Sequence, residues 1–393
     1  MTSIIQKGSN YVPAIGDNII QNWLRNTTHE GKGFRFFDND NSFFNHKYLL
    51  MSAYYRITDN DHNHRQLLNY PQDTTIIADS GGFQVMSFGK KGNPIKVTQI
   101  QVLRWMENNS DIGMNLDVPP VENFNAALKQ SVENFGFFES NRLVYDNFKL
   151  YNILHGRTLD QIKQWYTAVK GFQFDGWAIG VHPSTNVYLK LVAYLYLLEN
   201  GETSPLTNTH FFGVSGPSNM LSLAMLSKQF DAALTFDSSS WSWGQRFRDW
   251  WFPLDVRHCV RLGREFKNTI NSIPCDCPVC RTMDISQLYD QTNPMTPLLL
   301  SFHDLYQYIE SNRMINVMVE DDDTFIAYAR SLGEHTLIDN INGMIKDYEQ
   351  KDVSFVYNKY KSLFSNVPKR KEEIGTNLFG WPQTIYTPKQ TTI

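Results

Sequence analysis

A series of short apolar runs, each ending on a polar or small residue, constrains this chain more than any other feature. They are YLLMSAYY (48–55), TIIAD (75–79), GMNLD (113–117), YNILH (151–155), GWAIGVH (176–182), HFFGVSG (210–216) and AALTFD (232–237). Most are continuously apolar, as the strands of a buried parallel sheet are. Helical patterns lie between them. Phe124, Leu128, Val132 and Phe135 share one helical face, and Leu159, Ile162, Tyr166 and Val169 share another, with Thr158 placed to cap it. The run ends recur at intervals of roughly 20 to 40 residues, which suits one βα unit each. Seven runs therefore predict an α/β fold, a (β/α)8 TIM-like barrel with one strand not visible in the sequence. An open doubly wound sheet is the alternative, because periodicity alone does not separate the two.

The barrel reading has a chemical consequence. The C-terminal ends of barrel strands converge on one mouth, which would bring Asp79, Asp117, His155, His182 and Asp237 together. Taken locally, Asp79 and Asp237 could each simply cap a turn, and His155 and His182 could be satisfied core histidines. Three carboxylates arriving from three strands make that reading harder to hold.

Composition bounds the rest. With 393 residues, 41% hydrophobic and 19% charged, the chain is globular. A net charge of −4 advertises no global affinity for nucleic acid, so any such contact must be local. No apolar run approaches the ~20 residues of a membrane span. The opening MTSIIQKGSNYVPAIGDN has no signal-peptide core, so the cytoplasm, of a bacterium or of a virus-infected host, is the expected location. Between Gln245 and Ile270, Arg246, Arg248, Arg257, Arg261, Arg264 and Lys267 stand against Asp249, Asp255 and Glu265, interleaved with tryptophans. Such a mixture suits phosphate contact and base stacking, or equally an ordinary amphipathic segment with solvated arginines.

Cys275, Cys277 and Cys280 form C-x-C-x-x-C, and the next histidine is His303. Cysteines this close cannot staple distant segments, whereas three thiolates and one imidazole complete the shell of a structural zinc ion. One Zn2+ per chain, folding this region without performing chemistry, is the expectation. The barrel is expected over residues 1–245, the basic and aromatic segment with the zinc-binding subdomain over 246–316, and a helical region ending in a polar tail over 317–393.

DSGGFQV at 79–85 together with the cysteine–histidine set resembles the tRNA-guanine transglycosylase superfamily. MNLDVPP (114–120), NILHG (152–156), WAIGVHP (177–183), FFGVSGP (211–217) and LTFDSSS (234–240) match further family segments in order, and the likeness runs from about residue 48 to 313. The resemblance implies a zinc-bearing barrel that exchanges a guanine already in a nucleic acid for a free 7-deazaguanine. It implies Asp237 as the nucleophile at the sugar C1′ and Asp79 as general acid and base. It further implies Asp117 as acceptor for the N1–H and N2–H2 edge of guanine, and Phe83 and Phe212 as the stacking pair. Ser80, Gly81 and Gly82 would form the floor, while His155, Val181 and His182 stand where the family reads Gln and Gly-Leu. Two departures affect substrate reading. SSSWSWGQRFR replaces the arginine-bearing pattern of the bacterial tRNA enzymes, and the 80 residues after Arg313 are expected to leave no room for the extra domains of archaeal members. The GVHP and LLMSAYY segments are most similar to the DpdA-type DNA-guanine transglycosylases. DNA is accordingly favoured over tRNA, with preQ0 as the sort of base inserted, the tryptophans of 241–251 filling or supporting the gap left by a flipped guanine, and a second copy of the chain or an accessory protein among the expected partners. A zinc barrel that only binds nucleic acid is the remaining alternative.

Overall fold

The computed structural model describes residues 5–15, 24, 27–38, 40–58, 60, 62–82, 97–143, 147–180, 187–204, 207–242, 249–261, 273, 275–290, 292–365, 370–376 and 382–388. Among them, eight parallel strands close into a barrel: β1 (Gly8–Ile15), β2 (Tyr48–Ser52), β3 (Thr75–Asp79), β4 (Ile112–Met114), β5 (Lys149–Leu154), β6 (Gly176–Ile179), β7 (Thr209–Phe211) and β8 (Ala233–Ser238). Every strand pairs with its neighbour in sequence, and β1 closes the ring by pairing β8 over Gly8–Pro13 and β2 over Ala14–Ile15. Closure settles the choice against an open sheet.

The strand hidden from sequence reading is β1, GSNYVPAI. Ser9, Asn10 and Pro13 disguise it, because polar residues and proline argue against a central strand. The structure satisfies Ser9 from outside the sheet, while the Asn10 amide donates to the carbonyls of Gln6, Gly8 and Leu234. Asn312 and Asn316 each donate a side-chain N–H to the Ser9 carbonyl at 2.8 Å, and the Ser9 N–H donates to Asn316 Oδ1 at 2.9 Å. Both asparagines lie on a long helix that runs alongside β1, its Tyr308 stacked on Tyr11 and its Phe302 meeting Trp241 just past β8.

The outer layer follows the expected alternation. Helix α1 (Gln99–Asn109) follows β3, α2 (Phe124–Asn141) follows β4, α3 (Leu159–Val169) follows β5, α4 (Val187–Glu199) follows β6 and α5 (Pro217–Gln229) follows β7. Local chemistry sets their starts. The Thr158 hydroxyl accepts the Gln161 N–H at 3.2 Å and Asn123 Oδ1 accepts the Ala126 N–H at 3.0 Å, each satisfying an amide the helix leaves open. The α3 face read from the sequence is the buried one, with Leu159, Ile162, Tyr166 and Val169 all facing the barrel. Tyr48–Ser52 is a strand but Ala53–Tyr55 already belong to a short helix, Ala53–Thr58, so that run divides between two elements.

After β8 the chain forms an antiparallel pair, β9 (Asp249–Phe252) and β10 (Asp255–Arg261), and then the long helix α6 (Met295–Met318). Helices α7 (Asp322–Ser331), α8 (His335–Gln350) and α9 (Val353–Lys359) follow. The tail beyond them is not simply a solvated polar run. Arg370–Thr376 (β11) and Pro382–Pro388 (β12) pair along seven positions, and β12 joins β10 at Cys259–Thr384. An open strand edge offers backbone donors and acceptors irrespective of side-chain polarity, which is why a charged sequence such as RKEE forms a strand here. No helix among the described residues is long and apolar enough to cross a membrane.

Candidate active site and metal centre

The barrel delivers three carboxylates to one mouth. Asp79 is the last residue of β3, in register with Ser52 of β2. Asp117 lies in the loop three residues past β4 and is buried, as is Asp237 near the end of β8. Their proximity registers on Asp79. Burial first, then the charge of Asp117 and more weakly that of Asp237, push its carboxyl up to about 7, while backbone N–H bonds from Gly81 and Ser80 pull the other way. Asp79 therefore caps the following turn and shares the mouth with two carboxylates; the two readings of this residue coexist.

The residues after Asp79 hold the loops together. Buried Ser80 donates its hydroxyl to the Asn115 carbonyl at 3.0 Å, tying the β3 loop to the β4 loop. Gly81 has φ +87°, a left-handed conformation that side chains resist, and a Cβ on Gly82 would run into the Asp117 carbonyl oxygen. Gly82 is thus required by close approach to Asp117, and Gly81 by its backbone conformation and by Tyr54, which a Cβ there would meet.

His155 follows β5 and is buried, with Nε2 at 2.6 Å from Asp117 Oδ2. Its ring meets the edge of Trp165 at 4.8 Å, and Trp165 is fixed in turn by its own N–H bond to the Ile153 carbonyl at 2.8 Å. One carboxylate oxygen of Asp117 is thereby engaged within the protein. Phe212 stands half-buried just past β7, edge-on to His210 at 4.8 Å. Phe83, Val181 and His182 lie outside the described residues.

Asp237 is the most supported of the three. The Gly213 N–H donates to its Oδ1 at 2.8 Å, the Val214 N–H to its carbonyl at 2.8 Å, and His210 Nε2 lies 3.4 Å from Oδ1. Two neighbours of this group were not singled out from the sequence. His210 is fully buried in β7. Lys190 is buried in the otherwise apolar α4, with Nζ 3.5 Å from the Phe212 carbonyl; burial lowers its ammonium to about 8, opposed by the charge of Asp237. The signal was present in both cases: a lone histidine in an apolar strand and a lone lysine inside VYLKLVAYLYLLE. A polar group placed in such a run has to be aimed at something.

The basic and aromatic segment divides. Trp241 and Trp250 are core residues, Trp241 donating to the Ala14 carbonyl at 3.3 Å and Trp250 stacking on His303 at 4.8 Å and 6°. These two are therefore unable to stack on a nucleic-acid base, because packing against α6 covers them. Trp243, Arg246, Arg248, Arg264 and Lys267 lie outside the described residues.

Cys275, Cys277, Cys280 and His303 form one cluster whose ligand atoms all lie within 4.8 Å of one another. His303 comes from α6 and is fully buried; its Nδ1 is 3.8, 3.4 and 3.1 Å from the sulfurs of Cys275, Cys277 and Cys280. A tetrahedral ion with S at about 2.3 Å and N at about 2.0 Å places such atoms about 3.5 Å apart, so the donor set fits one metal ion. The N–H groups of Cys277 and Cys280 point to the sulfurs of Cys275 and Cys277 at 3.4 and 3.3 Å, and Gln307 Nε2 lies 3.5 Å from Cys275 Sγ. Such donors stabilise thiolates. The centre sits beside β9 and α6, remote in role from the mouth: with four protein ligands it is closed.

Residues 39–335 match the family model described as queuine tRNA-ribosyltransferase. Similar curated proteins carry the name tRNA-guanine(15) transglycosylase. That of Methanosarcina mazei is 26% identical over 257 residues, 63% of this chain and 48% of the relative. That of Korarchaeum cryptofilum is 22% identical over 264 residues, 64% and 41% respectively. That of Saccharolobus solfataricus is 22% identical over 303 residues, 72% and 55%. The chain spans about half the length of the curated relatives it matches.

Proposed function

Since the chain belongs to the queuine tRNA-ribosyltransferase family, we propose that it is a transglycosylase that exchanges a guanine within a nucleic acid for a free 7-deazaguanine base. The observation that carries the reading is the group of three carboxylates at the barrel mouth, one of them poised near neutrality. Asp237 attacks the sugar C1′ as the bond to guanine N9 breaks, giving a covalent glycosyl ester. The departing base takes the bonding pair and a proton from Asp79. The incoming base returns a proton to Asp79 and attacks C1′, releasing the Asp237 carboxylate, a double displacement. A single group that gives and then takes a proton works best with a pKa near the working pH, and Asp79 is pushed up to about 7. Asp117 accepts from the base edge through the oxygen that His155 leaves open, and Phe212, with Phe83, bounds the base faces. Cys275, Cys277, Cys280 and His303 would hold a zinc ion tying the 275–280 loop to α6, against which Trp250 of β9 stacks; when bound it would supply structure alone.

For the polymer, the names of the relatives support tRNA, and tRNA is the first reading. DNA is the second. It is favoured by two departures at the site: His155 bonded to Asp117 where the family has glutamine, and the run Ser238–Ser242 after the nucleophile, which holds no arginine and turns Trp241 into the core. A flipped guanine in DNA or an unpaired one in tRNA presents the same C1′. Incubation with radiolabelled guanine and either polymer separates them. Label entering tRNA alone supports the first reading, label entering DNA alone the second, and label entering neither, with intact protein, contradicts base exchange.

A further inference from the structure

The attacking oxygen of Asp237 has to be the one the protein leaves free. The Gly213 N–H bonds Oδ1 at 2.8 Å and His210 Nε2 faces the same oxygen at 3.4 Å, so Oδ2 remains. The His210 contact is close but not aligned as a hydrogen bond; Nε2 is buried and has no other partner. What Nε2 carries is decided on the far side of the ring. Asn208 Nδ2 donates to Thr235 Oγ1 at 3.1 Å, and Thr235 Oγ1 lies 3.0 Å from His210 Nδ1. Asn208, Thr235 and His210 are all buried. A hydroxyl that accepts from an amide still has its own proton to place, and Nδ1 is the acceptor beside it. With Nδ1 accepting, the proton of the neutral ring sits on Nε2, toward Asp237.

We propose that His210 is a positioning residue for the nucleophile, held as the Nε2–H tautomer by a relay running from Asn208 through Thr235 and presenting that N–H to Asp237 Oδ1. The inference rests on Asp237 being the nucleophile of the reading above. Its chemical meaning lies in the second displacement. When C1′ leaves Oδ2, the bonding pair returns to the carboxylate, and the charge spreads onto Oδ1. The Gly213 N–H is already bonded to that oxygen and the His210 Nε2–H faces it at 3.4 Å, needing only a small realignment to receive the charge. The same pair fixes the carboxylate plane, which aims Oδ2 at the sugar. Phe212, edge-on to His210 at 4.8 Å, packs on the ring that makes the contact, so base stacking and nucleophile orientation share one wall.

The test has a readout that does not depend on turnover. Long-range 1H–15N NMR of 15N-histidine-labelled protein, with His210→Gln identifying the signal, is expected to show His210 as the neutral Nε2–H tautomer. In Thr235→Val that signal is expected to move toward a tautomer mixture. In the exchange assay, Thr235→Val and His210→Leu are expected to lower kcat 10- to 100-fold, the usual cost of losing an outer-shell partner, with KM for the free base changed less than threefold. His210→Gln retains an N–H donor and is expected to recover most of the rate. An Nδ1–H tautomer in the wild-type protein overturns the relay, as does an undiminished kcat in His210→Leu. Wild-type protein that exchanges guanine into neither polymer overturns the base-exchange reading, and the tautomer measurement then still decides the relay by itself.

Discussion

Asp79 carries two demands that pull in opposite directions. To act on a base it has to hold a proton near neutral pH, and the means of achieving that is burial beside Asp117 and Asp237, which disfavours its charge. The folded-state value of about 7 lies above the unfolded 3.8. Between these values the folded chain binds more protons than the unfolded one, so this group erodes stability as pH rises from roughly 4 to 7 and by a constant amount above that. Replacing it with a neutral isostere removes the penalty. Asp79→Asn is expected to stabilise the fold at pH 8, by at most about 4 kcal/mol and less because the strand-end carboxylate keeps some access to solvent, so Tm rises at pH 8 and is nearly unchanged at pH 4, while guanine exchange falls at least a hundredfold. Thermal melts at the two pH values check the sign. At the same scale, Gly82→Ala is expected to disrupt the mouth without removing an ionisable group, since the added Cβ meets the Asp117 carbonyl and crowds its carboxylate; loss of exchange with near-normal metal content is the expected result. Asp79 and its double glycine were legible because a charge ending an apolar run demands explanation. His210 and Lys190 were not, since a single polar residue inside an apolar run carries no direction until the fold supplies its neighbour.

Elements became legible where burial was two-sided and illegible where a partner compensated for polarity. Strand β3, TIIAD, announces itself. Strand β1 does not, because its polar backbone and Ser9 are satisfied by Asn312 and Asn316 of α6, some three hundred residues away. Asn316→Leu removes one of these donors and the acceptor of the Ser9 N–H, and is expected to cost about 1–3 kcal/mol, read as a lower urea midpoint with an unchanged m-value. The tail strands β11 and β12 were hidden for a related reason: they add to an existing edge by backbone pairing, which leaves no apolar signature in sequence. The metal loop was the opposite case, since cysteine spacing reports its own geometry. Cys275→Ser is expected to lose bound metal and the order of β9 together, because Trp250 of β9 stacks directly on His303. Metal analysis alongside proteolysis of the 249–261 segment checks both.

At the scale of the whole molecule, a closed parallel barrel turns weak local signals into a site. Asp79 and Asp237 alone each read as a cap, and only ring closure by β1 puts β3, the β4 loop and β8 at one rim. The Cys275–Cys277–Cys280–His303 cluster involves the long helix that also anchors β1, so a metal ion held there would act on the site through the frame. Which polymer enters was not legible from the chain, because the residues expected to read it are arginines and tryptophans scattered through 241–267; two of those tryptophans, Trp241 and Trp250, serve the core instead. The central claim is that Asp237 forms a covalent bond to the sugar during guanine exchange. It is tested most directly by trapping. Protein incubated with tRNA or with DNA, quenched in denaturant and resolved by gel, is expected to give a protein–nucleic-acid adduct that free guanine discharges and that Asp237→Ala lacks. An adduct of equal yield in folded Asp237→Ala, or exchange of guanine by that variant, would contradict the account.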